Sequence, residues 1–227
     1  MNRLLRLAIP TIALGFFIQP APAARPAAAP PVVSAPTNPE ARTAAQNGIN
    51  QILDVLKDRS LDRAGRAENL RKVMDEHMDF ETFSRLSIGP SWREWSDGQH
   101  SQFVDEFRNH MLGIATKFTR NYDDEGVVIL SDAVEKNGDC TIFCRVLGKM
   151  KDGVQEDVGR LDFRLRQKEA RWKVIDVHVA GISLANTFRA QFLVIMKDGG
   201  VDKLLKMLHE RNAGNVEKPA RTADAEK

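Results

Sequence analysis

Val158-Gly159-Arg160-Leu161-Asp162-Phe163-Arg164-Leu165-Arg166 alternates without a break, with Leu161, Phe163 and Leu165 on one side and Arg160, Asp162, Arg164 and Arg166 on the other. A period of two belongs to a β-strand, so this stretch predicts a strand with one apolar and one charged face. Residues 127–133, 139–147 and 171–179 read the same way. The connections are Asn137-Gly138, Lys151-Asp152-Gly153 and residues 167–170. Links this short join antiparallel neighbours, and the four strands form a meander with one wet face.

On the amino side the period changes to that of a helix. Asn38 caps a helix with Pro39 at its first position, and Ala45, Ile49, Ile52, Leu53 and Leu56 line one face until Asp58-Arg59-Ser60. Leu70, Val73, Met74 and His77 mark a second helix; Asp79 caps a short third over 80–86, closed by Ile88-Gly89-Pro90. Ser96 and Gln99 form a capping box for a long fourth, whose Phe103, Phe107, Met111, Ile114 and Phe118 make the strongest amphipathic stripe in the chain. Beyond Gly181 the helical period returns with Leu184, Phe188, Phe192 and Ile195. It stops at Asp198-Gly199-Gly200 and resumes through Val201, Leu204, Leu205 and Leu208. Helices, a run of strands, then helices predict an α+β fold in which an antiparallel sheet of about four strands packs one face against N-terminal and C-terminal helices.

The ends read differently. Residues 1–23 combine a basic start with Arg3 and Arg6, an apolar run of about a dozen residues and an A-x-A site ending at Ala23, which predicts an export peptide. The run is shorter than the ~20 residues of a spanning helix and holds Pro10, and no cysteine follows the cleavage point for a lipid anchor. Residues 24–37 are an extended Ala/Pro leader, 38–212 a single folded unit, and 213–227 a charged tail without periodicity. Of 227 residues 42% are apolar and 28% charged, enough for a core and against wholesale disorder. Without Arg3 and Arg6, 31 basic residues balance 31 acidic ones, and no Lys/Arg-rich run offers a nucleic-acid surface.

The candidate chemistry is sparse. Cys140 and Cys144 lie on one face of a strand, roughly 13 Å apart at ~3.3 Å per residue, too far to pair, so they read as buried small hydrophobes. The five histidines are scattered without ligand spacing, and Asp75-Glu76-His77-Met78-Asp79 is explained as a helix end and the next cap. Gly181-Ile182-Ser183-Leu184-Ala185 opens a helix after a strand and matches most of a nucleophile elbow. A hydrolase would need a parallel sheet and an acid and histidine from the last 44 residues, so Ser183 reads better as a helix cap. Asp176, mid-strand, reads as a carboxylate paired with Arg189 or Lys173.

Asp79-Phe80, Phe83-Ser84-Arg85-Leu86, Gly89, Trp92-Arg93, Phe103, Glu106-Phe107-Arg108, Trp172-Lys173-Val174-Ile175-Asp176-Val177, Gly181-Ile182-Ser183-Leu184 and Phe188-Arg189-Ala190-Gln191-Phe192 together resemble the Ttg2D/MlaC family of toluene-tolerance, periplasmic phospholipid-binding proteins. The likeness spans about residues 42–210 and rests on the order and spacing of many elements, most of all from Trp172 to Phe192. Ala115 stands where many relatives carry a tyrosine, and the leader and tail are additions. The resemblance implies a twisted sheet and helices enclosing a deep apolar pocket. It also implies a soluble periplasmic carrier moving phospholipid between an outer-membrane lipoprotein complex and an inner-membrane ABC transporter with an MCE-domain subunit. No cofactor is implied beyond the lipid cargo, and some branches of the family handle hopanoid-type lipids.

With acyl chains placed between sheet and helices, the expected lining is Phe83, Leu86, Phe103, Phe107, Ile114 and Phe118 from the first helices. Ile142, Val146, Leu161 and Phe163 come from the strands, and Ile182, Leu184, Phe188 and Phe192 from beyond Gly181. The rivals are a lipid-free adaptor module of a membrane transport complex and a Ser183 esterase.

Overall fold

The computed structural model describes residues 37–119, 122–151 and 154–216. The expected export peptide, residues 24–36 of the leader and residues 217–227 of the expected tail lie outside the described residues, whereas residues 213–216, expected in the tail, are helical. Four helices precede the sheet: α1 (Pro39–Lys57), α2 (Arg63–His77), α3 (Phe80–Ile88) and, after a short 3₁₀ helix over Gly89–Glu94, α4 (Asp97–Thr119). Strands β1 (Gly126–Val134), β2 (Cys140–Lys151), β3 (Val154–Lys168), β4 (Arg171–Val179) and β5 (Ile182–Ser183) follow, then α5 (Leu184–Val216).

Local chemistry sets the helix ends. The Asn38 side chain accepts from the Ala41 N–H at 2.9 Å, and Asp79 accepts from the Thr82 N–H at 3.0 Å. In the capping box the Ser96 N–H donates to Gln99 at 3.0 Å while the Gln99 N–H donates back to the Ser96 hydroxyl at 3.3 Å. Arg66 closes α1 by donating to the carbonyls of Val55, Leu56 and Asp58. Arg189 does the same for α3, donating to Leu86 O at 2.9 and 2.5 Å. Gly89 follows at φ 76°, and a Cβ there would meet the Arg189 guanidinium at 2.9 Å, so both the turn and the close approach require glycine. The backbone leaves the helical region at Gly199 and Gly200, where the second apolar stripe of α5 begins.

The five strands follow one another in sequence order, each antiparallel to the next. β5, too short to show a period, was not expected. The outer face carries an ion lattice. Asp139 and Asp162 are each 1% exposed, the first held by Arg164 at 2.7 Å and Arg166 at 2.6 Å, the second by Arg160 at 2.7 Å. Pairing of this kind is what lets a carboxylate be buried on the wet side of a sheet.

The buried core is divided. One cluster is helical, built from α2, α3, α4 and α5 with Trp95. The other joins Ala41, Ala45 and Ile49 of α1 to Cys140, Ile142, Cys144 and Leu165 of the sheet. Helix α1 spans both: its first half lies on the sheet, anchored where the Asn38 N–H donates to Asp132 of β1 at 2.6 Å, while Ile52 and Val55 pack against the helical cluster. Leu53 still belongs to the sheet side. The two clusters meet at β4, where the Asp79 N–H that opens α3 donates to the Val174 carbonyl at 2.9 Å.

Candidate functional site

Cross-strand partners share a face, so the register lays out the inner surface in rows. Val134, Cys140, Leu165 and Val174 form one row, and Ile142, Phe163 and Val177 the next. Ile129, Cys144, Leu161, Val179 and Ile182 cross all five strands, and Val127 and Val146 face Gly159, which offers no side chain. Burial falls across these rows. Cys140 and Ile142 are wholly buried under α1, but Val146, Leu161, Val177 and Val179 are only half-buried. These half-buried aliphatic side chains give the inner side of the sheet a partly covered apolar surface.

The expected lining residues divide accordingly. Phe83, Phe103, Phe107, Phe188 and Phe192 form an aromatic lattice, with Phe107 5.1 Å from Phe188, 5.4 Å from Phe83 and 5.5 Å from Phe103 between ring centroids. All five are at most 3% exposed. Edge-to-face and stacked pairs at these spacings are each worth about 1 kcal/mol beyond simple burial, so the lattice is core material. Leu86, Ile114 and Leu184 sit half-buried on its margin. Phe118 lies in α4, and its side chain is outside the described residues. Ile142 is sealed under α1, whereas Val146, Leu161 and Phe163 lie on the half-covered rows and Ile182 is exposed. Val177 and Val179 complete those rows and were not anticipated, although the alternation Ile175, Val177, Val179 was visible. A bulge at Ile175 shifts the pairing, so that Ile175 and Asp176 are both buried.

Asp176 has other partners than expected. Arg189 serves the Leu86 carbonyl and the Lys173 ammonium the carbonyl of Glu76. Asp176 instead accepts from the Ser183 hydroxyl at 2.6 Å, from the backbone N–H of Val177 at 2.8 Å and of Ala185 at 3.0 Å, and lies 3.2 Å from His178 Nε2. Burial pushes its pKa up, but the donors from His178, Ser183 and Ala185 prevail and hold it below the usual carboxylate value. Serine, histidine and aspartate do meet here, in the wrong order for nucleophilic catalysis. The carboxylate stands between the other two, and no imidazole nitrogen accepts from Ser183. Ser183 also accepts from the Asn186 N–H at 3.0 Å, which makes it the cap of α5.

Cys140 and Cys144 are unpaired, and burial pushes their thiols up to about 11 and about 12, far from the reactive thiolate range. His110 is 8% exposed with Nδ1 unpartnered. Burial, aided by the charges of Arg211 and Lys117, pushes its pKa down to about 4 and keeps it neutral. Among the described residues no group of three or more His, Cys, Asp or Glu side chains could hold a metal ion. Among the same residues no helix is long and apolar enough to cross a membrane.

Residues 46–210 match the family profile of the MlaC protein. This chain belongs to the MlaC family. The MlaC-type architecture recurs in a solved structure, a phospholipid-binding protein from Ralstonia solanacearum in complex with a phospholipid at 1.53 Å. The two chains align with a TM-score of 0.66 at 22% identity, over 78% of this MlaC-family chain and 99% of the other. No curated protein matches the sequence.

Proposed function

We propose that this MlaC-family chain is a periplasmic carrier of phospholipid, and that the acyl chains lie along the half-covered rows of the inner sheet face. The observation that carries this reading is the set Val146, Leu161, Val177 and Val179, aliphatic side chains on the inner sheet face that are only half-buried. The phospholipid in the complex of the Ralstonia solanacearum protein, which shares the fold, supports it.

A two-chain lipid carries about 30 methylenes, and at ~0.8 kcal/mol each its passage through water costs on the order of 24 kcal/mol. A carrier lowers that barrier by offering apolar surface in place of water. Transfer becomes nearly thermoneutral, and the docking partners set its direction. In this reading those partners are an outer-membrane lipoprotein complex and an inner-membrane ABC transporter with an MCE-domain subunit, and residues 1–23 direct export. The capped and acid-blocked Ser183 supports binding without catalysis.

The deciding experiment is extraction of the purified protein with organic solvent and mass spectrometry of the extract. Recovery of phospholipid at close to one molecule per chain is the expected result. Protein that holds no lipid and takes none from vesicles would remove the proposal, and recovery of a hopanoid-type lipid would change the cargo.

A further inference from the structure

Four large apolar side chains are well exposed among the described residues: Val128, Leu130, Ile182 and Val194. Three have no path to the interior row. Val128 alternates with the inner-facing Val127 and Ile129, Leu130 is the extra residue of the β1 bulge, and Val194 lies on α5. Ile182 differs. It pairs directly with Val179, which pairs with Leu161, which pairs with Cys144. Along this row exposure climbs from 1% at Cys144, through the half-buried Leu161 and Val179, to 62% at Ile182.

The exposed end of the row is held in place. Ala180 at φ 51° and Gly181 at φ 81° form a two-residue hairpin turn with both residues in the left-handed region. A β-branched or bulky residue would not accept such a turn, and alanine does so under strain. On one side the Ala180 N–H donates to Arg160 O at 3.0 Å. On the other, the Ser183 hydroxyl and Ala185 N–H are fastened to Asp176. The isoleucine is therefore presented on a support pinned at both flanks, continuous with the apolar row and facing water.

We infer that the Val179–Ile182 hairpin is the portal of the acyl-chain site, with Ile182 the first apolar group that a lipid meets on entering or leaving. The inference rests on the carrier reading above. A portal residue acts on the rate of exchange and leaves the capacity of the site alone, which separates it from a lining residue.

The test is stopped-flow uptake of a self-quenched fluorescent phosphatidylethanolamine from phosphatidylcholine vesicles. Ile182→Asp should slow uptake on the order of tenfold, the effect of withdrawing part of one isoleucine side chain's apolar burial from the barrier state. The final amount bound should equal wild type, Ile182→Leu should restore the rate, and Val128→Asp should leave it unchanged. Ile182→Ser repeats the readout with a smaller perturbation should the aspartate disturb the hairpin. Wild-type uptake rates in both polar variants would overturn the portal while leaving the carrier intact. Loss of final capacity along with rate would also overturn it, by making Ile182 part of the seat. A wild-type protein that takes up no lipid would instead remove the carrier reading itself.

Discussion

Replacing Leu161 by glutamate puts a carboxyl group in the middle of the inner-face row. Leu161 is half-buried, so water reaches the new group in the empty protein, and folding stability should fall by about 1–2 kcal/mol. Bound acyl chains would take that water away. The apolar burial forgone, about half of a leucine side chain plus the lipid methylenes it covers, is worth about 2 kcal/mol at ~0.8 kcal/mol per methylene. Drying the carboxylate costs at most what neutralising it costs. From an ordinary value near 4.3 to pH 7 that is about 4 kcal/mol at ~1.36 kcal/mol per unit. The sum, about 6 kcal/mol, is roughly four powers of ten in lipid affinity.

Two internal controls follow from the same arithmetic. Leu161→Ala forgoes only the apolar burial, roughly 30-fold in affinity, and at pH 5 the glutamate variant should regain about 3 kcal/mol because protonation is then two units cheaper. The assay is phospholipid per mole of purified protein, with transfer from vesicles at both pH values and circular dichroism for folding. A well-folded Leu161→Glu protein that keeps a full complement of lipid at pH 7 would refute the placement of acyl chains on this face.

Ile142→Glu makes the opposite prediction. Ile142 is wholly buried under α1, so an unpaired carboxylate there should cost about 4 kcal/mol or more and abolish a cooperative urea transition, and a wild-type melting temperature would contradict the packing. His110 sets an acid limit. The unfolded chain binds a proton there near pH 6.5 and the folded chain only near pH 4, so stability falls as pH drops between those values. Urea unfolding should show about 2 kcal/mol lost from pH 7.5 to 5, a slope that His110→Leu flattens, and an unchanged slope in that variant would count against the buried neutral imidazole. Ser183→Ala removes the α5 cap at about 1 kcal/mol, a fall of roughly 3 °C in melting temperature, with ester hydrolysis at background in both proteins; hydrolysis that depends on Ser183 would overturn its role as a cap.

Much of the fold was legible because the signals that specify it are local. The alternation of Leu161, Phe163 and Leu165 against four charged residues identified β3 and its inner face, and Asn38, Asp79 and Ser96 with Gln99 marked helix starts that the structure places there. Each of these rests on a period or on a hydrogen bond spanning three residues. The stripe Phe103, Phe107, Met111 and Ile114 was equally legible as a buried face, though not what lies against it.

Sequence alone therefore decided the helices and the four long strands, which side of each is apolar, and how those strands follow one another, since a chain's own periodicity encodes those. Tertiary structure decided what covers each apolar side. It turned Phe83, Phe103, Phe107, Phe188 and Phe192 into an interlocked core, sealed Ile142 beneath α1, and left Val146, Leu161, Val177 and Val179 half-buried on the inner sheet face. It also gave Asp176 its serine neighbour through the pairing of β4 with β5, which no periodicity records. The reason is geometric: a greasy face is a property of one segment, while its burial belongs to two segments distant in sequence and the angle at which they meet.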